Sequence, residues 1–208
     1  MTPPTPIIHV VDDDESLRTA VTRMLRAAGY EVRSYPSAGE FLLARPTDTQ
    51  GCVVLDVQMP GPSGLDLQEA LGSLNHTLPI IFLTGQGDIL MSVRAMKAGA
   101  VDFLTKPVHR NALLSAVENA LARDEKSRKA QEGTDALRAR FESLTPRERA
   151  VFTLVAAGKL NKHIATELGT SERTVKAHRA QVMDKMQVTS LAELVHVADR
   201  LQALSPSR

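Results

Sequence analysis

The sequence predicts two domains of different class. The first is an α/β domain with a doubly wound, five-stranded parallel sheet, because five strand-like runs alternate with five helical patterns within roughly 120 residues. The second is a smaller all-α domain of four helices, because the later part of the chain carries a series of capped helical patterns separated by short turns. A chain of 208 residues is long enough for two such domains.

The α/β prediction begins with short runs that are apolar or alternate as half-buried strands do. They occupy residues 7–11, 31–35, 52–56, 79–84 and 102–105. Apolar residues at helical spacing follow the runs, at residues 17–25, 38–44, 65–74, 89–98 and 113–121. Asp14 or Ser16 is the expected N-cap of the first helix, and Gly29 is expected to end it.

Polar side chains stand where four of these strands end. The first strand runs into Asp12 and Asp13, the third ends at Asp56, the fourth ends at Thr84, and Lys106 follows the fifth. Alone, each residue reads more simply as a helix cap, a turn residue or a solvated charge. Because the carboxyl ends of parallel strands share one edge of a sheet, their combination predicts a single site.

The residue types of this site suit phosphoryl transfer to a carboxylate. Three adjacent carboxylates need a compensating charge, which Mg²⁺ or Mn²⁺ supplies. Asp13 and Asp56 are the expected direct ligands, with Asp12 acting through water. Asp56 can act as the nucleophile, while Lys106 pairs with one phosphoryl oxygen and Thr84 hydrogen-bonds to another.

Charge is divided unevenly along the chain. Residues 1–122 carry 9 lysines and arginines against 13 aspartates and glutamates, whereas residues 123–208 carry 16 against 11. This split favours a polyanion as the partner of the later part alone. No apolar stretch approaches the ~20 residues of a membrane span, and residues 1–6 lack the basic region of a signal peptide. We therefore expect a cytoplasmic protein that does not contact membranes.

Helix start and stop signals organise residues 144–208. Thr145 is the expected N-cap of the first helix, with Pro146 at its first position and Glu148 completing a capping box. The other expected caps are Asn161, Ser171 and Ser190, and the expected stops are Gly158 and Gly169. Two helices joined by a short turn at Gly169 form a helix-turn-helix pattern.

The third of these helices, residues 172–186, indicates DNA as the partner. Val175, Val182 and Met186 lie along one face, with His178 between them, and should pack on the preceding helix. The other faces carry Arg173, Thr174, Lys176, Ala177, Arg179 and Ala180. As the second helix of a helix-turn-helix it can enter the major groove, where small residues allow close approach and cations meet phosphates or guanine.

Residues 122–143 are expected to form a linker. They contain helix-forming residues but hardly any apolar stripe, so they read either as a solvated extension of the fifth helix or as a flexible connector. We favour a mostly helical linker that is interrupted at Gly133.

The residues of the first domain resemble a response-regulator receiver domain. The resemblance rests on Val10-Val11-Asp12-Asp13-Asp14, Leu55-Asp56, Met59-Pro60, Ser63-Gly64-Leu65, Thr84-Gly85 and Lys106-Pro107. It implies a flavodoxin-like sheet of order 2-1-3-4-5 and a phosphoryl group received by Asp56 from a sensor histidine kinase. It also implies the backbone carbonyl of Gln58 as a third metal ligand, and a switch in which Thr84 and Phe103 move together.

The last 65 residues resemble the LuxR-type DNA-binding domain. The matching residues are Leu144-Thr145-Pro146-Arg147-Glu148, Gly158, Asn161-Lys162, Ile164-Ala165, Leu168-Gly169, Ser171, Thr174-Val175-Lys176 and His178. With the receiver, they make the chain similar to the FixJ-type subgroup of response regulators. The resemblance places Lys176 and Ala177 nearest the bases, and Lys162, Ser171 and Arg179 on phosphates. Ala180 departs from relatives that have lysine there.

Together these patterns predict a two-component transcriptional regulator. Its predicted parts are a receiver at residues 1–121, a linker at 122–143 and a DNA-binding domain at 144–208. Phosphorylation of Asp56 is expected to control dimerisation and the binding of double-stranded DNA. The fourth helix and fifth strand would form the dimer surface, which includes Arg94, Met96, Lys97 and Phe103. RNA polymerase is a further candidate partner.

Two alternatives come from other classes of protein. A phosphatase could use Asp56 as a nucleophile during turnover, but the acid that would support this two residues later is Gln58. A DNA-binding regulator could also work without phosphorylation, with a purely structural first domain. We expect no enzymatic activity beyond self-phosphorylation from small phosphodonors and autodephosphorylation.

Overall fold

The computed structural model describes residues 5–44, 50–73, 78–85 and 89–203. Position 74 of the predicted third helix and residues 1–4 lie outside these ranges. The chain divides into two compact units, residues 1–128 and residues 129–208. In the described ranges, no helix combines the length and the apolar character that crossing a bilayer requires.

The first unit is an α/β fold around one parallel sheet. Its elements are β1 (Ile7–Val11), α1 (Glu15–Ala27), β2 (Glu31–Tyr35), α2 (Ala38–Leu43), β3 (Gly51–Asp56), α3 (Gly64–Ser73), β4 (Ile80–Thr84), α4 (Ile89–Lys97), β5 (Asp102–Thr105) and the start of α5 (Arg110–Glu142). All four strand pairs are parallel, and the order is β2-β1-β3-β4-β5. The predicted fold class and strand order are confirmed.

The sheet is covered on both faces, which explains the continuous apolar run of β3. Val53 and Leu55 belong to one buried cluster, on the side of Phe41, Leu67 and Phe82. Cys52 and Val54 alternate onto the other side, where the buried partners include Leu25, Leu113 and Val117. Each fully buried side chain of this size contributes about 1.5–3 kcal/mol relative to an exposed one.

The ends of α1 follow the expected capping chemistry. Asp14, rather than Ser16, is the N-cap, and its carboxylate accepts hydrogen bonds from the backbone N–H groups of Ser16 at 2.8 Å and Leu17 at 3.1 Å. Gly29 ends the helix at a φ of 92°, a backbone conformation that side chains rarely adopt. The helix therefore ends directly before β2, at the glycine predicted to end it.

The second unit contains α6 (Pro146–Ala156), α7 (Asn161–Glu167), α8 (Glu172–Met186) and α9 (Leu191–Ala203). Thr145 and Glu148 form the predicted capping box, and the Ser171 hydroxyl accepts from the Thr174 N–H. The Ser190 hydroxyl likewise accepts from the N–H of Glu193 at 3.2 Å. Val175, Val182 and Met186 are buried in the core of this unit, as their spacing predicted.

The prediction that Asn161 caps the second helix is wrong. Leu160 is the N-cap of α7 and makes no side-chain cap, while Asn161 is the first helical residue. The Asn161 side chain is used elsewhere, because its Oδ1 accepts a hydrogen bond from Nη1 of Arg179 in α8 at 3.3 Å. A contact between two helices of the domain has displaced a local one.

The predicted interruption at Gly133 is also wrong, because α5 continues from Arg110 to Glu142. The hydroxyl of Thr134 donates to the carbonyl of Ala130 at 3.0 Å, one turn earlier in the same helix. A glycine inside a helix costs only about 0.5–1 kcal/mol relative to alanine, which a helix of this length can absorb. Residues 122–142 are therefore helical throughout.

Candidate functional site

Three carboxylates meet at the carboxyl edge of the sheet. Asp12 and Asp13 follow β1, and Asp56 ends β3, the strand that pairs directly with β1. One oxygen of each lies within 4.8 Å of the others. Asp12 and Asp56 are buried, whereas Asp13 is exposed. The site thus has a buried floor and a rim that opens to solvent.

Lys106 brings a positive charge into this cluster. Its ammonium lies 3.0 Å from Oδ2 of Asp12 and 3.1 Å from Oδ2 of Asp56. The residue follows β5, and its backbone N–H donates to the carbonyl of Thr84 at 2.6 Å, which ties the β5 end to the β4 end. The sheet therefore joins residues that are 94 positions apart in the chain.

The electrostatic balance of the cluster is incomplete. Burial raises the pKa of Asp56 above its ordinary value; the hydrogen bond and charge of Lys106 counteract part of this rise, and the charge of Asp12 adds to it. Burial alone would lower the pKa of Lys106, but its contacts with Asp12 and Asp56 outweigh that effect, so the net pKa is raised. Lys106 thus brings a single positive charge to a cluster of three carboxyl groups, two of which are buried.

The donor set fits a hard divalent cation. Carboxylate oxygens are the ligands that Mg²⁺ prefers in proteins, and a dication would compensate the charge that Lys106 leaves unbalanced. Asp12, Asp13 and Asp56 are the residues that could hold it. The backbone N–H of Gln58 donates to Oδ1 of Asp56 at 3.3 Å, and the Gln58 side chain is exposed. The expected ligand role of the Gln58 carbonyl stays a prediction.

Two supports of the acidic cluster were not predicted from sequence. The guanidinium of Arg18 in α1 donates to the backbone carbonyls of Asp12 at 2.7 Å and Asp13 at 3.3 Å. The backbone N–H of Asp14 donates to Oδ1 of Asp12 at 2.9 Å. These bonds hold the loop after β1 in place, and the helical spacing of α1 contains no signal for the role of Arg18.

Gly64 allows the loop after β3 to pack against Asp56. A Cβ atom at this position would lie 2.2 Å from the backbone carbonyl oxygen of Asp56 and 3.1 Å from Cγ of Leu55. The backbone N–H of Gly64 also donates to the carbonyl of Val57 at 3.1 Å. The start of α3 therefore touches the backbone of the central carboxylate directly, and only glycine fits.

Thr84 and Phe103 lie beside this edge on the two strands that complete the sheet. Thr84 is buried at the end of β4 and pairs with Thr105, while Phe103 pairs with Phe82. The rings of Phe82 and Phe103 are 6.2 Å apart, so Phe103 packs against the core and remains half-buried. Thr84 is tied to Lys106 through its backbone carbonyl, and the switch role of Thr84 and Phe103 stays a prediction.

Three of the residues predicted for a dimer surface lie on α4 and are exposed, whereas Phe103 lies on β5 and is half-buried. Arg94, Met96 and Lys97 point away from the core, and Met96 keeps 47% of its surface accessible. Arg94 also lines a cavity of about 510 Å³ whose wall includes Gln58 and Ser63 of the loop after β3. Arg94 therefore shares a cavity with the loop that follows Asp56.

The exposed face of α8 carries the residues expected to contact DNA. Arg173, Lys176 and Ala177 are exposed, and Lys162 is exposed on α7. The Ser171 and Thr174 hydroxyls are 2.9 Å apart and cap the helix start. Cationic side chains near a helix N-terminus, together with the small exposed side chain of Ala177, suit a helix that enters a groove of a polyanion.

Arg179 differs from the other cations of this face, because it is half-buried and donates to Asn161. Its guanidinium is therefore oriented by α7 before any DNA arrives. This geometry is compatible with the predicted phosphate contact, since a guanidinium carries further N–H donors.

Comparison with known proteins assigns a family to each part. Residues 8–118 match the response regulator receiver domain, and residues 142–198 match the bacterial regulatory proteins of the luxR family. Nodulation protein W of Bradyrhizobium diazoefficiens is 51% identical over 195 residues, covering 94% of this chain and 86% of that protein. The transcriptional regulatory protein FixJ of the same organism is 42% identical over 198 residues, covering 95% and 97%.

Solved structures agree with these matches. A low-resolution structure of the response regulator StyR superposes with a TM-score of 0.86 at 48% identity, covering 95% of this chain and 100% of that one. Full-length FixJ from B. japonicum superposes with a TM-score of 0.59 at 41% identity, covering 97% and 100%. Both similarities extend over the receiver and the DNA-binding residues.

Proposed function

Because the chain belongs to the two-component transcriptional response regulators that join a receiver domain to a LuxR-type DNA-binding domain, we propose that Asp56 is its phospho-acceptor. A histidine kinase and DNA are the partners that this membership implies. The observation that carries the proposal is the contact of the Lys106 ammonium with both Asp12 and Asp56 at the edge of the sheet.

The proposed reaction transfers a phosphoryl group from a kinase histidine to Asp56. A carboxylate oxygen of Asp56 forms the new P–O bond as the P–N bond to the histidine breaks, and the departing imidazole takes up a proton. Lys106 is 3.1 Å from the Asp56 carboxylate, so it can follow the incoming charge and pair with a phosphoryl oxygen. Thr84, on the adjacent strand, is the proposed hydroxyl donor to a second oxygen.

The acidic cluster is the proposed Mg²⁺ or Mn²⁺ site of this reaction. A bound dication would neutralise charge on the transferring phosphoryl group. Asp13 and Asp56 would hold it directly, with Asp12 acting through water and the Gln58 carbonyl as a further ligand. Arg18 would keep Asp12 and Asp13 in position through their backbone carbonyls.

Phosphorylation is proposed to act on the output by shifting the receiver between two conformations. Thr84 would approach the phosphoryl group, and Phe103 would move with it. Both lie on strands next to α4, whose exposed Arg94, Met96 and Lys97 would then form the homodimer surface. A dimer presents two α8 helices to paired half-sites on double-stranded DNA.

For DNA contact, we propose Lys176 and Ala177 at the bases, with Arg173 and Thr174 beside them. Lys162, Ser171 and Arg179 would meet phosphates. DNA as the target implies action in the cytoplasm, and RNA polymerase is a proposed further partner. Catalysis would be limited to self-phosphorylation from small phosphodonors and autodephosphorylation.

The decisive experiment selects DNA from a random library with and without acetyl phosphate and Mg²⁺. We expect the phosphorylated chain to enrich two half-sites at a fixed spacing, and Asp56→Asn to lose the dependence on phosphodonor. Glu118→Gln, which removes an exposed carboxylate of α5, is the matched control and should behave as wild type. Equal enrichment by wild type and Asp56→Asn in both conditions would show a regulator that works without phosphorylation.

A further inference from the structure

Three charged residues in the first turn of α6 each bind a different part of the second unit. Arg147, Glu148 and Arg149 are consecutive in sequence, and their side chains diverge because successive helical residues point in different directions. They contact the helix-turn-helix turn, α8 and the end of α5, respectively. One helical turn therefore lies at the meeting point of these elements.

Glu148 connects this turn to α8, named the recognition helix because it is the helix proposed to contact the bases. The residue is buried, and its Oε2 accepts hydrogen bonds from the backbone N–H of Thr145 at 2.8 Å and from the ammonium of Lys185 at 2.7 Å. Lys185 lies in the last turn of α8, at the opposite end from Ser171. Its ammonium also lies 3.5 Å from the carbonyl of Ser143, just after α5.

Arg149 connects the same turn to the end of the linker helix. Its Nη2 donates to the carbonyl of Glu142 at 2.6 Å, and its Nε donates to the carbonyl of Leu144 at 3.0 Å. The guanidinium also lies over the ring of Phe141, 5.4 Å from the centroid. Phe141 in turn packs edge-on against Phe152 of α6, at 5.3 Å. The end of α5 is thus held at the base of α6 by polar and aromatic contacts.

Arg147 completes the arrangement, because its Nη2 donates to the carbonyl of Leu168 at the turn between α7 and α8. Residues of α6 therefore hold both ends of α8 in place. The start is held through the turn that Arg147 binds, and the last turn is held by the ion pair of Glu148 and Lys185.

We propose that the first turn of α6 is a joint through which the end of the linker helix sets the position of the recognition helix. Glu148 and Lys185 are its positioning residues, and Arg149 is the anchor of the linker. A shift at residues 141–144 would reach α8 through Lys185, whose ammonium faces both Glu148 and Ser143. The proposal rests on α8 being the helix that reads DNA.

The joint makes a distinctive prediction for Lys185. Although it is a cation of the recognition helix, its charge is committed to Glu148, so it should affect sequence recognition without contacting phosphate. A phosphate contact contributes about one unit to the slope of log affinity against log salt concentration, whereas a positioning residue leaves that slope unchanged.

The test compares full-length Lys185→Met with Lys162→Met, a substitution of an exposed α7 lysine that is a proposed phosphate contact. Affinity is measured on a duplex selected by the wild-type chain and on a random-sequence duplex, at a temperature where thermal unfolding shows every variant folded. Lys185→Met should lose about tenfold on the selected duplex, the equivalent of one base contact, and keep its salt slope and random-duplex affinity. Lys162→Met should weaken binding to both duplexes and reduce the salt slope by about one unit.

Glu148→Gln and the double variant complete the cycle. Because Glu148 and Lys185 act through each other, the double variant should lose no more specific affinity than either single variant. Lys185→Arg, which retains the charge, should restore most of the specific affinity. Additive losses, a reduced salt slope for Lys185→Met, or wild-type specific affinity in the folded variants would overturn the role of this pair.

Arg149→Met tests the linker side of the joint. It should reduce the ratio of specific affinities with and without acetyl phosphate by threefold or more, while the rate of Asp56 phosphorylation stays at the wild-type value. An unchanged ratio would overturn the anchor role. If wild type itself shows no phosphodonor dependence, the proposed control by Asp56 fails, whereas the comparison of Lys185 and Glu148 within one state still decides their role.

Discussion

Gly64→Ala should disturb the receiver site, although Gly64 has no charged side chain and is not one of the predicted site residues. The new Cβ would lie 2.2 Å from the carbonyl oxygen of Asp56, whereas a close carbon–oxygen contact is about 3.3 Å. The backbone must therefore move by about 1 Å, either at the end of β3 or at the start of α3. Because the N–H of Gly64 is bonded to Val57, movement of α3 also strains that bond.

The cost follows from overpacking of a close backbone contact. Such insertions destabilise a protein by typically 1–3 kcal/mol. At roughly 4 °C per kcal/mol, the melting temperature of the first unit should fall by about 4–12 °C. If the strain is relieved by moving Asp56, phosphorylation should also slow, because a displacement of about 1 Å can cost up to 100-fold in rate. Circular dichroism melting and intact-mass detection of the acyl phosphate measure the two effects.

Gly72→Ala is the matched control, because Gly72 lies in the same helix and a Cβ there would meet no atom within 4 Å among the described residues outside the adjacent backbone of its own helix. Alanine is a better helix former than glycine by about 1 kcal/mol, so this variant should be slightly more stable than wild type and be phosphorylated normally. If Gly64→Ala matched Gly72→Ala in both melting temperature and phosphorylation rate, the close approach of Gly64 to Asp56 would be refuted.

Three further predictions concern titration and metal binding. Burial raises the pKa of Asp124, and the hydrogen bond that its carboxylate accepts from the Gly51 N–H counteracts part of this rise. The folded state therefore disfavours the ionised form of Asp124. In urea titrations, the stability of Asp124→Asn relative to wild type should increase as pH rises from 4 to 7. The hydrogen bond to Lys185 lowers the pKa of Glu148 most, and the bond from the Thr145 N–H lowers it further. The stability that ionised Glu148 contributes is present above its pKa in the unfolded chain and is lost as pH falls through its pKa in the folded chain. The difference in unfolding free energy between wild type and Glu148→Gln should therefore be largest at pH 7 and disappear in acid. Mg²⁺ at ten times its dissociation constant should stabilise the wild-type chain by about 1.4 kcal/mol, and a calorimetric scan should show no such gain for Asp13→Asn.

Much of the receiver site was predictable because a parallel sheet imposes its geometry on the sequence. Once the strands ending at Asp12, Asp56 and Thr84 are recognised, their carboxyl ends must share an edge, and residues far apart in the chain become neighbours. The structure brings Asp12, Asp13, Asp56 and Lys106 together without any further assumption. Helix caps at Thr145 and Ser171 were equally predictable, since a cap depends on residues three positions apart.

The two wrong predictions in the second half of the chain both relied on local residue preferences. Asparagine is a preferred N-cap residue, yet the side-chain oxygen of Asn161 accepts a hydrogen bond from Arg179 of another helix. Glycine is a poor helix former, yet the free-energy cost of Gly133 inside α5 is small and the helix continues through it. In both cases a local preference of about 1 kcal/mol was outweighed by the surrounding structure.

By itself, the sequence determined the two fold classes, the strand order through its family resemblance, and the residues that carry charge to the acidic edge and to α8. The fold classes follow from periodicity and capping, which act over a few residues, whereas the strand order is what the resemblance implies. Only the tertiary structure decided that Gly64 touches Asp56, that Arg18 holds two carbonyls of the acidic loop, and that Lys185 pairs with Glu148 instead of facing solvent. Such contacts depend on how segments that are distant in the chain pack against each other, and no pattern along the chain encodes that packing.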